Sequence, residues 1–152
     1  MELTAAEQRV LGCLIEKEAT TPEQYPLSMN SLVAGCNQAT NRDPVVSYDE
    51  ATVAEALSSL REQGLIRIVY PAHARVTKYR HVMGEAWALT PPETAVLAVL
   101  MLRGPQTVNE LVTRTERYAD FADLGGMEGV LRRLAGRPEP LVTQLERRPG
   151  QR

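Results

Sequence analysis

Between Asp49 and Met83, the sequence has the pattern of an amphipathic helix followed immediately by the patterns of two short strands. Apolar side chains recur at helical spacing after Asp49, and Gly64 stands where a helix can end on a left-handed residue. At positions 65–70 and 76–83, β-branched and aromatic residues replace helix formers, which predicts a two-stranded ribbon. This direct succession of a helix and a ribbon limits the fold more than any other feature of the chain.

Two shorter helix patterns precede this stretch. Thr4 and Glu7 have the spacing of a capping box at the start of the first helix, predicted at 5–18. Ser28 is placed to cap the second helix, predicted at 29–36. Three helices followed by a ribbon are the plan of a winged helix, a fold of the helix-turn-helix type. The first half is therefore predicted to be a winged helix whose ribbon is the wing.

The second half repeats this plan in a weaker form. Residues 89–93 repeat the capping pattern of residues 3–7, and residues 141–145 predict a strand with no return strand behind it. We therefore predict a mostly α fold with small β-wings, built as two tandem winged-helix domains. The predicted domains are 1–87 and 88–152, and the second wing is predicted to be incomplete.

The charge of the chain does not favour binding to nucleic acid by charge alone. The formal net charge is −2; the first 87 residues carry eight basic and eleven acidic side chains, and the rest carry nine and eight. A protein held on nucleic acid by charge alone is strongly basic. The longest apolar run, 95–102, is too short to span a bilayer, and no leader pattern is present, so we expect no membrane association and a cytoplasmic protein.

Few groups suit catalysis or metal binding. Cys13 and Cys36 lie in apolar helical contexts and are expected to be small buried side chains. Neither histidine has metal ligands at suitable spacing, and no glycine-rich phosphate loop occurs. Glu16 and Glu18 are predicted to lie on a solvated helix surface. We therefore expect a protein that is not an enzyme and that holds no cofactor and no metal.

The candidate nucleic-acid-binding residues are the basic side chains of the ribbon and of the last helix. They are Arg67, His73, Arg75, Lys78, Arg80, Arg132, Arg133 and Arg137. Such residues also have structural uses, because lysine and arginine protect exposed strand edges and favour the negative end of a helix dipole. The outward positions of the third helix include Glu50, Glu55 and Glu62, which makes base reading by that helix improbable.

A protein-interaction adaptor is the alternative function. The loop at 37–45 is rich in amide groups, and the candidate partner-binding residues are Tyr25, Asn37, Asn41 and Arg42. The loop amides also suit a purely local role, in which they fold the turn by bonding their own backbone. Residues 95–102 are apolar on nearly every face, which predicts packing against the other domain or against a second subunit in a homodimer.

Five segments of the sequence occur in an order that resembles a known protein family. They are residues 21–28, 36–38, 40–45, 75–79 and 102–107. Together they resemble the YceH-like family of uncharacterised bacterial proteins, and the resemblance covers essentially the whole chain. It implies a cytoplasmic protein of two winged-helix domains without an assigned reaction or ligand. We expect a regulatory protein that contacts double-stranded DNA through Arg75–Arg80 and Arg132–Arg137.

Overall fold

The computed structural model describes residues 2–72, 76–119 and 124–146. Short helices and strands alternate with loops through this part of the chain. In order, they are α1 (Ala5–Thr20), β1 (Leu27–Ser28), α2 (Met29–Asn37), α3 (Glu50–Glu62), β2 (Ile66–Val69), β3 (Lys78–His81), α4 (Met83–Ala86), α5 (Pro91–Arg103), α6 (Val108–Thr115) and α7 (Leu124–Ala135). The fold is mostly helical, as predicted, with one small antiparallel sheet of order β1-β3-β2 in the described residues.

The first half has the predicted succession of three helices and a ribbon. The side chain of Thr4 accepts a hydrogen bond from the backbone N–H of Glu7, and the Glu7 carboxylate accepts one from the Thr4 N–H, so the capping box is confirmed. Gly64 follows α3 at φ +75°, a left-handed conformation that favours glycine. Helices α1, α2 and α3 pack on one another, and the ribbon follows α3 directly. This arrangement is consistent with a winged-helix-like fold.

The ribbon is shorter than predicted and has an additional partner. Its strands occupy 66–69 and 78–81, and β1, which was not predicted, pairs with β3 along its other edge. The segment after β3 turns into α4, which begins at Met83, and the side chain of Met83 is fully buried in the core. The prediction that the second strand extends to residue 83 was therefore wrong.

Helix α5 packs on α1 and, from its own half, on α6 and α7. Its apolar side chains are covered within the chain, since Ala95 to Val99 and Leu102 are each at most 6% exposed. The predicted packing against the other half is thus confirmed, and the homodimer through 95–102 stays a prediction. Buried residues of both halves form one continuous core, and the division into tandem domains stays a prediction.

The strand predicted at 141–145 is wrong. The residues from Leu141 to Glu146 form no strand, and the backbone N–H of Leu141 donates to the carbonyl of Leu134 at the end of α7. A lone apolar run cannot hold a strand conformation without a second edge to bond, and no described residue offers it one. The second half is therefore a group of three helices, α5, α6 and α7, in the described residues.

Candidate nucleic-acid interface

The outer face of the ribbon sheet collects three of the candidate basic residues. Arg67 on β2 lies directly opposite Arg80 on β3, and Lys78 lies opposite Val69. Cross-strand partners share a face of the sheet, and successive residues alternate between faces. Arg67, Lys78 and Arg80 therefore project from the same side of the sheet, although the sequence alone left their common orientation open.

The inner face of the ribbon packs toward the helices. Ile66 and His81 are opposite each other and are only 3% and 8% exposed. His81 Nε2 lies 2.8 Å from the Glu18 carboxylate, and Nδ1 accepts a hydrogen bond from the backbone N–H of Met83. The hydrogen bond to His81 lowers the pKa of Glu18 below its usual value, against an opposing effect of burial. His81 therefore belongs to the core and not to the basic face.

The three outer cations lack partners among the described residues. None of them forms a hydrogen bond or an ion pair there, although Glu18 acts on Arg80 electrostatically without bonding to it. Like charges directly opposite each other destabilise a sheet, and no hydrogen bond or ion pair with a described residue offsets this cost for the cross-strand pair of Arg67 and Arg80. An arrangement of this kind suits an external anion, and DNA phosphates are such anions.

The ribbon tip is only partly described. His73 and Arg75, two of the candidate DNA-binding residues, lie outside the described residues. On the two sides of the tip, Tyr70 is 75% exposed and Val76 is 53% exposed. An exposed aromatic and an exposed apolar side chain next to a basic face are common where proteins contact sugars and bases.

Helix α3 presents an acidic outer face, as predicted. Glu50, Glu55 and Glu62 are exposed, and Arg61 is the one exposed cation of this helix. Ser59 of the same helix is turned towards α1 and donates a hydrogen bond of 2.5 Å to the buried Glu7 carboxylate. An acidic surface repels a phosphate backbone, so α3 is poorly suited to insertion into a DNA groove.

The arginines of α7 and of the segment after it lie in two environments. Arg132 and Arg133 are exposed in the last turns of the helix, where positive side chains favour the negative end of the helix dipole. Arg137 Nη2 donates to the backbone carbonyl of Trp87 at 2.5 Å, so this guanidinium ties the end of α7 to the α4–α5 connection. One of the donors of Arg137 is thus engaged within the chain, and its assignment to a nucleic-acid surface stays a prediction.

Two of the candidate partner-binding residues stabilise loops from within. The Tyr25 hydroxyl accepts a hydrogen bond of 2.8 Å from the His81 N–H, and burial raises the pKa of Tyr25. The Asn37 side chain both donates to the carbonyl and accepts from the N–H of Tyr48, each at 2.8 Å. Neither side chain is positioned primarily for an external partner. Asn37 does form turn-stabilising bonds, but with a residue eleven positions away and not with its own backbone.

The other two candidates, Asn41 and Arg42, join the 37–45 loop to the helices. Asn41 has φ +58° and accepts a hydrogen bond of 2.6 Å from Arg103 Nη2. Arg42 is 6% exposed and donates to both carboxylate oxygens of Glu16, at 2.6 and 2.9 Å. Arg42 is thus a buried structural residue, and its assignment to a partner surface is corrected.

Glu16 is the buried partner of Arg42, which the sequence pattern did not reveal. Its side chain is fully buried, although it was predicted to lie on a solvated surface. Burial opposes ionisation, but the hydrogen bonds and charge of Arg42 outweigh it and lower the pKa of Glu16. The sequence signal that could have indicated this burial is the apolar run at positions 10–15, interrupted only by Gly12. This run is wider than one helical stripe, so it predicts that α1 is covered on two faces.

Comparison with known proteins gives the chain a family. The family model described as "Protein of unknown function, DUF480" matches residues 3–151. The chain belongs to this DUF480 family. A curated relative of the family, the UPF0502 protein of Pelobacter propionicus, is 55% identical over 152 residues, which are 100% of this chain and 69% of that protein.

Further DUF480 relatives are similar over nearly the whole chain. The UPF0502 protein of Geobacter metallireducens is 54% identical over 99% of this chain and 68% of its own length. The UPF0502 protein of Mesorhizobium japonicum is 46% identical over 99% of this chain and 71% of its own length. Within the described residues of this DUF480 chain, no helix has the length and hydropathy needed to cross a bilayer.

Proposed function

We propose that this DUF480 protein binds double-stranded DNA through the outer face of its ribbon sheet and acts as a regulator. The observation that carries the proposal is the cross-strand pair of Arg67 and Arg80, which forms no hydrogen bond or ion pair with a described residue and has Lys78 on the same face. Guanidinium groups form paired hydrogen bonds with phosphate oxygens, so this face fits a DNA backbone.

The proposed contact positions the protein on DNA without reading its sequence. Phosphate contacts fix the orientation of a protein, whereas base-edge contacts in the grooves supply sequence recognition. The acidic outer face of α3, with Glu50, Glu55 and Glu62, argues against base readout by that helix. The proposed role is therefore one of binding, not of catalysis, with little preference for sequence from the first half.

Reversing the charge of Arg67 and Arg80 should abolish most of this binding. For the variant R67E/R80E we expect the affinity for a short duplex at low salt to fall by more than about tenfold, because two attractive charges become repulsive. Fluorescence anisotropy of a labelled duplex measures the change. The fold should persist, since neither side chain bonds to another described residue.

The variant R132E/R133E is the matched control for this experiment. It makes the same change in net charge at two exposed arginines of α7. We expect it to weaken binding much less than R67E/R80E does. Equal losses in the two variants would show that only the total charge matters, and unchanged binding by R67E/R80E would exclude the ribbon face.

Protein binding is a second candidate function, favoured by a groove between α3 and the ribbon. The groove has a volume of about 180 Å³, and its lining is largely apolar, with Met29, Ala54, Leu57, Ile66, Ile68 and Tyr79. A partner held there by apolar burial would bind with little dependence on salt, in contrast to DNA. The change Ile68→Glu should weaken such a complex while leaving the outer basic face intact.

A further inference from the structure

A small cleft lies between the end of α5 and the end of α6. None of its lining residues belongs to the ribbon. The cleft has a volume of about 40 Å³, and its lining includes Asn41, Arg103, Arg114, Arg117 and Tyr118. The first of these belongs to the 37–45 loop, and the others belong to the second half. Three arginines thus contribute to the lining of one concavity where the two halves of the chain meet, together with the apolar Val99 and Leu102.

Among the described residues, fewer carboxylates than arginines contact this cleft, so the positive charge of the arginines is only partly neutralised. Arg103 donates to the neutral Asn41 oxygen and forms no ion pair with a described carboxylate, although it interacts electrostatically with Glu110. Arg114 pairs with Glu110 at 3.2 Å and also donates a hydrogen bond to the side-chain oxygen of Gln106. Arg117 Nη1 lies 3.8 Å from Glu16 Oε2, which is longer than a hydrogen bond.

The Glu16 carboxylate is already engaged by another cation. Arg42 binds both of its oxygens, so little of its charge remains to compensate Arg117. Burial, and then the charges of Arg114, Arg117 and Arg42, lower the pKa of Arg103. Among the described residues, the arginines in and beside the cleft thus outnumber the carboxylates that contact them, and an anion would relieve the repulsion between these like charges.

We propose that this cleft binds the phosphate group of a small phosphorylated molecule through Arg103, Arg114 and Arg117. Guanidinium groups that converge from several sides can donate to several oxygens of a terminal phosphate at once. A phosphate within a DNA duplex presents only two free oxygens and is flanked by its neighbours on the strand. The small volume likewise fits one phosphate group and leaves the rest of the ligand outside the cleft.

The bound phosphate would join elements that are distant in sequence. Asn41 and Arg42 belong to the loop after α2, whereas Arg103, Arg114 and Arg117 follow or belong to α5 and α6. A ligand held by the arginines would therefore stabilise the contact between that loop and the second half. This site shares no residue with the ribbon face, so it stands or falls independently of the proposed DNA binding.

Titration with inorganic phosphate tests the site directly. Isothermal titration calorimetry at constant ionic strength, with chloride as the balancing anion, should show saturable binding of one phosphate per chain. R117M and R103M should each weaken it at least about tenfold. R132M, which removes an exposed arginine on α7, should bind as the wild type does. Arg117 is 42% exposed, so R117M is expected to fold even if R103M is destabilised by the loss of its bond to Asn41.

Each outcome of the titration decides the proposal. Saturable binding that is lost in R117M and retained in R132M supports it. Absence of saturable binding by the wild type up to about 10 mM phosphate would overturn it, as would equal binding by R117M and the wild type. A parallel titration with a short duplex separates the two sources of phosphate: if R117M loses duplex binding while free phosphate never binds, the arginines belong to a DNA surface and the proposal is wrong.

Discussion

Replacing Arg42 with alanine is expected to lower the free energy of unfolding by about 3–5 kcal/mol, because it leaves the buried Glu16 carboxylate without its main partner. Arg42 donates to both oxygens of this carboxylate, which is fully buried. Lys17 at 3.4 Å and Arg117 at 3.8 Å are too distant to replace the lost hydrogen bonds. The 37–45 loop would also lose the bond from Arg42 Nε to the carbonyl of Gly35.

Urea denaturation followed by circular dichroism measures this loss. The exposed Arg132 supplies the matched control, and R132A is expected to change stability by less than about 0.5 kcal/mol. The double variant R42A/E16Q should recover part of the loss, because a neutral amide costs less to bury than an unpaired carboxylate. A loss below about 1 kcal/mol in R42A would contradict the buried ion pair.

The effect of R42A should also depend on pH. In the folded wild type the pKa of Glu16 is lowered, since Arg42 outweighs the opposing effect of burial. A carboxyl group whose pKa is lowered on folding stabilises the protein above its unfolded pKa, and this stabilisation is lost as the pH falls through the folded value. In R42A the group can protonate readily. The difference in stability between the two proteins should therefore shrink as the solution is acidified.

Replacing Leu102 with alanine is expected to destabilise the protein by about 2–5 kcal/mol, because it opens a cavity between α1 and α5. Leu102 is 1% exposed and packs against Gly12 of α1. A Cβ atom added at Gly12 would lie 2.9 Å from Leu102 Cγ, which is closer than side-chain atoms pack. The two helices therefore approach each other closely because residue 12 has no side chain.

A double-mutant cycle distinguishes this contact from a general effect of two core mutations. G12A alone should destabilise through the steric clash, by about 1–3 kcal/mol. In G12A/L102A the new methyl group occupies part of the vacated space, so the combined loss should be smaller than the sum of the single losses. Thermal and urea unfolding of the four proteins measures the coupling. Strict additivity would show that α1 and α5 do not meet at these residues.

The sequence was most informative where local chemistry decides the structure. Thr4 and Glu7 fix the start of α1 through a capping box, and Thr90 and Glu93 do the same for α5. Gly64 marks the end of α3 because its backbone is left-handed. These signals depend on residues within a few positions of each other, so they can be recognised without knowledge of the tertiary fold.

The sequence was less informative where long-range packing decides. A single apolar stripe on α1 led to the prediction that Glu16 is solvated, but α5 and the 37–45 loop cover a second side of that helix. The polar character of Arg42 suggested a surface role for the same reason. Ion pairs between residues 26 positions apart leave no pattern in one sequence, because either partner alone resembles an ordinary surface residue.

The candidate DNA-binding face was predicted in part. Residue types placed Arg67, Lys78 and Arg80 on the ribbon, but their common face follows from the register between β2 and β3. Arg137 shows the converse, since its bond to the Trp87 carbonyl depends on how the end of α7 meets the chain after α4. A basic residue in the sequence does not reveal whether its donors are free.

The dependence of DNA affinity on salt tests the account most directly. Plotted as log K against log salt concentration for the wild-type protein and a short duplex, the data should have a slope of about −2 to −3, as expected if Arg67, Lys78 and Arg80 each neutralise a phosphate. R67E/R80E should flatten the slope by about 2 units. A slope near zero, or a steep slope that the double variant leaves unchanged, would contradict DNA binding by the ribbon face.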